Sequence, residues 1–116
     1  LASYLKKSKC KLLISWHDFK KTPNESQLKS RFNKMRKFSN VVKIVTVAKN
    51  VSDASRLLSL YSIKSKNKMV AFCMGDQGKF SRILCLHLGS PFTYVSLGKA
   101  IAPGQFSVDE IKSLQY

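Results

Sequence analysis

The chain has 116 residues, 44% of them apolar, and sets 21 Lys and Arg against 6 Asp and Glu for a formal charge of +15. That length allows at most one ordinary domain, the apolar share suffices for a packed core and excludes a disordered chain, and the charge asks for an anionic partner: nucleic acid, an acidic membrane surface or an anionic metabolite. Cys10, Cys73 and Cys85 are odd in number and lack paired metal-ligand spacing, which fits a reducing compartment without structural disulfides, and no apolar run reaches membrane-spanning length.

Leu1, Tyr4 and Leu5 share one side of a segment with lysines near its far end, which predicts the end of a helix over residues 1–9. With no initiating Met, we expect a piece of something longer. Lys11-Leu12-Leu13-Ile14-Ser15 predicts a short strand running into His17. Thr22-Pro23-Asn24-Glu25 reads as a capping box with proline at the first helical position, opening a helix with Leu28, Phe32 and Met35 at helical spacing.

Val41-Val42-Lys43-Ile44-Val45-Thr46-Val47 is a β-branched run with one lysine inside it, the pattern of a buried parallel strand. Two readings of Lys43 stand at this point. On an edge strand it points at solvent. In an apolar setting its ammonium loses hydration, the amine form is favoured, and an amine can attack a carbonyl to form a Schiff base.

Asn50 is then an N-cap with Asp53 three residues on, ahead of Ala54, Leu57, Leu58 and Tyr61. A third strand over Met69–Met74, a turn over Gly75–Gly78 and a helix over Ser81–Leu88 ending at Gly89 follow. Residues Phe92–Leu97 predict a fourth strand. Ala102-Pro103-Gly104-Gln105 predicts a loop. Ser107-Val108-Asp109-Glu110 predicts another capping box, with Phe106 and Ile111 as its hydrophobic staple. Regular strand–helix alternation argues for a parallel sheet with helical crossovers, either a small open α/β sheet or half of a barrel.

In such folds reactive groups gather at the C-terminal ends of strands. His17, Lys43, Arg82 and Gln105 fall where they could share that rim. The set suits a substrate carrying a carbonyl and a carboxylate: an imine-forming lysine, a histidine that moves protons, and an arginine that grips a carboxylate bidentately. Read singly, His17 is a capping or packing residue, Arg82 solvates a helix and Gln105 holds a loop together. His87 is left as structural, and Cys73 and Met74 are more often core than function.

Four motifs together resemble a known family. Ser15-Trp16-His17-Asp18-Phe19 with Thr22-Pro23 resembles the histidine motif of the type I 3-dehydroquinate dehydratases. Val42-Lys43-Ile44 resembles their Schiff-base strand, and Met74-Gly75 with Gly78 and Ser81-Arg82 their arginine motif. Gly89-Ser90, Thr93-Tyr94 and Ala102-Pro103-Gly104-Gln105 resemble their closing loop. The matches run in the family's order over nearly all of the chain.

The resemblance implies a (β/α)₈ TIM barrel of which residues 1–116 form the C-terminal half, strands five to eight with their helices; a whole barrel takes about 250 residues. It implies a cytoplasmic shikimate-pathway lyase that dehydrates 3-dehydroquinate, a small anion, and needs neither metal nor added cofactor. Lys43 would form the imine, His17 would serve as general acid and base, Arg82 and Gln105 would hold the carboxylate, and Met74 and Tyr94 would line the ring pocket. A homodimeric parent fits the same resemblance. Ile101 departs from the family, which commonly has a small hydroxyl residue there, Tyr94 stands where phenylalanine is usual, and Phe72 stands where methionine often lies. The catalytic glutamate belongs to the family's N-terminal half, so the isolated piece is expected to show little activity.

Two rival classes compete. A small basic nucleic-acid-binding domain accounts for the charge directly, and Gly75-Asp76-Gln77-Gly78 has the form of a KH-domain loop, although it follows a strand and carries an acid. Another Schiff-base barrel, such as an aldolase, would share the lysine strand without calling for the rest of the set.

Overall fold

The computed structural model describes residues 13–63, 68–93, 95–96 and 106–107. The elements are β1 (Leu13–His17), α1 (Glu25–Met35), β2 (Val41–Val47), α2 (Val51–Leu58) with a 3-10 extension over Ser59–Ser62, β3 (Lys68–Met74), a 3-10 turn over Asp76–Gly78, α3 (Ser81–His87), β4 (Val95–Ser96) and β5 (Phe106–Ser107). β1, β2 and β3 form one parallel sheet in that order, and β4 pairs with β5 in a second. The architecture is therefore α/β with parallel strands joined by helical crossovers, as the alternation predicts.

Lys43 stands on the central strand, paired with Ser15 on one side and Val70 on the other, which removes its edge-strand reading. Because side chains alternate along a strand, the register divides the sheet into two faces. One presents Ile14, Trp16, Val42, Ile44, Ala71 and Cys73 to Leu28 and Phe32 of α1 and to Ala54 and Leu57 of α2. The other carries Ser15, His17, Lys43, Val45, Val70, Phe72 and Met74. On it, Val45, Val70 and Phe72 join Leu58 and Cys85 in a second apolar cluster.

Several predicted boundaries move. The first strand extends to His17 rather than ending at Ser15, because that register lets β1 pair along β2 as far as Val45. The α1 N-cap is Asn24, whose side chain accepts from the Gln27 N–H at 2.9 Å, so Thr22-Pro23 lies ahead of the helix rather than capping it. Thr22 is buried instead, its hydroxyl 2.8 Å from the Thr46 hydroxyl and donating to the Val47 carbonyl at 2.8 Å.

The Asn50 cap stands as expected, accepting from the Asp53 N–H. Among the described residues Val95–Ser96 belong to the fourth strand and Phe92 lies outside it, while Ser107 lies in β5. The predicted helix over residues 1–9, the helix after Ser107, Tyr94, Ile101 and the loop holding Gln105 lie outside the described residues.

Candidate active site

His17 closes β1 and Met74 closes β3, so both sit at the C-terminal edge of the sheet, on the same face as Lys43. His17, Val45 and Phe72 form one row across the three strands. Lys43 is two residues before Val45. With strands about 4.8 Å apart and about 3.3 Å of rise per residue, the Cα atoms of His17 and Lys43 are about 8 Å apart.

Electrostatics registers the proximity. The His17 pKa is lowered from the ordinary imidazole value, first by burial and then by the positive charge of Lys43. Lys43 itself is half-buried, and its register neighbours are the buried Val70 on one side and the exposed Ser15 on the other. The His17 ring also meets Phe19 edge-on at 5.6 Å.

The loop carrying His17 is fastened at several points. The Asp18 N–H donates to the Val45 carbonyl, and Asp18 Oδ1 accepts from the Lys20 and Lys21 N–H groups at 2.9 and 3.0 Å. Those contacts hold the Asp18 pKa below the usual carboxylate range. Further on, Arg56 donates to the carbonyls of Thr22 and Pro23 while paired with Asp53 at 2.8 Å. The loop after β1 is thus tied to α2.

Arg82 reaches the opposite end of the row. Its guanidinium lies 4.5 Å above the Phe72 ring, and the residue is only 4% exposed. Burial lowers its pKa, and Nε has no hydrogen-bond partner among the described residues. A buried guanidinium with an open donor is suited to pairing with an anion, because leaving such a group unpaired is costly.

The turn ahead of Arg82 is pressed onto β3. A Cβ on Gly78 would come within 2.6 Å of the Cys73 Cβ, so only glycine fits there. Gly75 has a φ of +90°, which also favours glycine. The Gly75–Gly78 loop therefore joins a strand to a helix and lacks the helix-loop-helix setting of a KH loop.

His17, Lys43 and Met74 accordingly share one sheet face, His17 and Met74 at its C-terminal rim, and the Arg82 guanidinium lies over Phe72 of that face, while Gln105 and Tyr94 are not described. Phe72 is a participant that sequence reading passed over as a departure from a pattern. Its signal was present in the spacing, since it is two residues from Met74 on one strand and so on the same face. A cleft of ≈ 460 Å³ opens elsewhere, between Trp16 and α1 on the helix-covered side, lined by Lys21, Arg31 and Lys34 among others. It is separate from the Lys43 face, with Arg31 stacked on Trp16 at 4.7 Å.

Known proteins are similar to this chain in sequence and in fold. The 3-dehydroquinate dehydratase of Pyrobaculum aerophilum is 46% identical over 103 residues, covering 89% of this chain and 34% of its own length. That of Syntrophobacter fumaroxidans is 41% identical over 113 residues, 92% of this chain and 48% of its own. The chain thus spans between a third and a half of these curated relatives.

Among solved structures, the 3-dehydroquinate dehydratase of Aquifex aeolicus superposes with a TM-score of 0.84 at 32% identity, over 98% of this chain and 51% of its own. A type I 3-dehydroquinate dehydratase of Clostridium difficile, solved with a covalently modified comenic acid, gives a TM-score of 0.84 at 29% identity over 97% and 46%. The sequence profile described as type I 3-dehydroquinase matches residues 1–116, and the chain belongs to that family.

Proposed function

We propose that this chain is the C-terminal half of a (β/α)₈ barrel that dehydrates 3-dehydroquinate to 3-dehydroshikimate through a lysine Schiff base in the shikimate pathway. The supporting observation is the single face on which His17, Lys43 and the Phe72-backed Arg82 converge. In this reading β1 to β3 are barrel strands five to seven, and the eighth follows Ser90. The Lys43 amine adds to the C3 ketone, and loss of water gives a protonated imine. That iminium is an electron sink, so the C2–H bond becomes acidic.

His17, whose ring favours its neutral form, takes the C2 proton and leaves an enamine. The electron pair then returns to expel the C1 hydroxyl, which leaves as water with a proton from His17. Hydrolysis of the remaining imine releases product and restores Lys43. Arg82 holds the carboxylate in its guanidinium fork, aided by Gln105, and Met74 and Tyr94 line the ring pocket. The glutamate that orients His17, and groups for the ring hydroxyls, come from the other half, so this piece alone has little turnover. The reading carries a cytoplasmic setting, in which Cys73 and Cys85 remain buried thiols. No helix among the described residues is long and apolar enough to cross a membrane.

The test is borohydride reduction of the complete parent chain with 3-dehydroquinate, followed by peptide mass mapping. The expected result is a reduced adduct on Lys43, lost in Lys43→Met together with at least about 10³-fold of the turnover. A folded parent that dehydrates nothing and traps no substrate on Lys43 overturns the reading.

A further inference from the structure

Phe72 and Ser81 are not substrate groups in the reaction above, yet both bear on where Arg82 can be. The Phe72 side chain, 3% exposed, lies beneath the guanidinium, with its ring centroid 4.5 Å from the guanidinium carbon. A ring face attracts a cation through its quadrupole and meets a guanidinium across its plane. That contact sets the guanidinium carbon over the ring, and a guanidinium so seated on its flat side keeps the N–H donors of its edge for a carboxylate. Nε has no hydrogen-bond partner among the described residues, so none of them anchors the group through it.

Ser81 acts one residue upstream. It is wholly buried, and its hydroxyl accepts from the Cys73 N–H at 2.8 Å and donates to the Gly78 carbonyl at 2.5 Å. These bonds bolt the first residue of α3 to β3 one position beyond Phe72. The ring and the bolt fix the two ends of the same side chain: Ser81 sets where the Arg82 backbone departs from the turn, and Phe72 sets where its guanidinium rests.

We propose that Phe72 and Ser81 are positioning residues that hold the Arg82 guanidinium flat over the Lys43 face as a preformed seat for the substrate carboxylate. This rests on the proposed dehydratase reading. Phe72 replaces conformational freedom in a long side chain with a fixed platform, so less ordering is left to substrate binding.

The experiment uses the complete parent chain and compares Phe72→Leu, Ser81→Ala and Arg82→Ala with the combination of Phe72→Leu and Arg82→Ala. Phe72→Leu should raise KM about five-fold with kcat nearly unchanged. Ser81→Ala should move it the same way. The Phe72→Leu effect should vanish once Arg82 is alanine, because the platform then has nothing to carry. Should Ser81→Ala fail to fold, Phe72→Leu alone decides.

A second readout needs no turnover. The Arg82 Nε–H resonance, shielded by the ring beneath it, should shift in Phe72→Leu. An unchanged KM, an equal change in the Arg82→Ala background, or an unmoved Nε–H signal overturns the proposal. Wild-type parent without imine trapping sinks the dehydratase reading instead, and the Nε–H measurement still decides whether Phe72 and Arg82 are coupled.

Discussion

On one face of the sheet, Ile14, Val42, Ile44, Ala71 and Cys73 meet α1 and α2. On the other, the same three strands present the exposed Ser15 and His17 and the half-buried Lys43 toward β1, and the buried Val45, Val70 and Phe72 toward β3. The two surfaces are interleaved residue by residue, so each strand builds core and chemistry at once. The difference teaches how a lysine within a strand can be fixed rigidly. Val42 and Ile44 flank it, wholly buried on the far side, and lock its backbone without touching its side chain.

The helix-covered face is not purely apolar. At its C-terminal end Thr22, Thr46 and Cys73 form a small buried polar group, with the two hydroxyls 2.8 Å apart and the Thr46 hydroxyl 3.3 Å from the Cys73 sulfur. Burial pushes the Cys73 thiol up, so it stays protonated and serves as a packing group. This trio ties the loop after His17 to the helix side of the sheet.

The largest effect that separates the faces comes from emptying the helix side. Phe32 is 2% exposed and packs α1 on the sheet. Phe32→Ala should cost about 3–5 kcal/mol of stability, read as a fall in the midpoint of denaturant unfolding of the parent chain. Borohydride trapping on Lys43 in the fraction that stays folded should be unchanged. If trapping fell while the protein remained folded, the two faces would not be independent.

A smaller effect tests the start of α1. Asn24→Ala removes the side chain that accepts from the Gln27 N–H, and should cost about 1 kcal/mol. Were Thr22 the functional cap, this substitution would be close to neutral. Unfolding curves of the two proteins decide between them.

That case shows what was legible in the sequence. The strand–helix alternation, the Asn50 cap and the helical spacing of Leu28, Phe32 and Met35 could be read because each is a local pattern. The Thr22 cap misread a residue whose role is long-range, since its hydroxyl partners lie 24 and 25 positions away. Lys43 was ambiguous for the same reason: no local feature says whether a strand is central or at an edge. The seat of Arg82 on Phe72 was hidden because it joins a strand to the helix after it through a turn. Of that turn, only the glycines were visible.

The finest distinction between the faces is electrical. His17 is held below the ordinary imidazole pKa by burial first and by the Lys43 charge second. An imidazole whose pKa is lowered in the folded state binds fewer protons there than in the unfolded chain. Between the lowered value and the ordinary one, about 6.5, the unfolded state is favoured by that difference, so this contribution to stability recovers as pH rises through the window. Above it His17 is neutral in both states and ready as a base. Lys43→Met removes the second cause and leaves the first, so the His17 pKa should rise toward the ordinary value without reaching it, and the window should narrow. Added salt should produce a change of the same sign in the wild type, by screening the Lys43 charge, and little further change in Lys43→Met. The His17 Cε1–H resonance, assigned against His17→Ala and followed through pH in the parent chain, reads this directly. A titration midpoint indifferent to Lys43→Met would mean that the ring and the amine do not sense each other, and that the lysine face is a row of neighbours rather than one site.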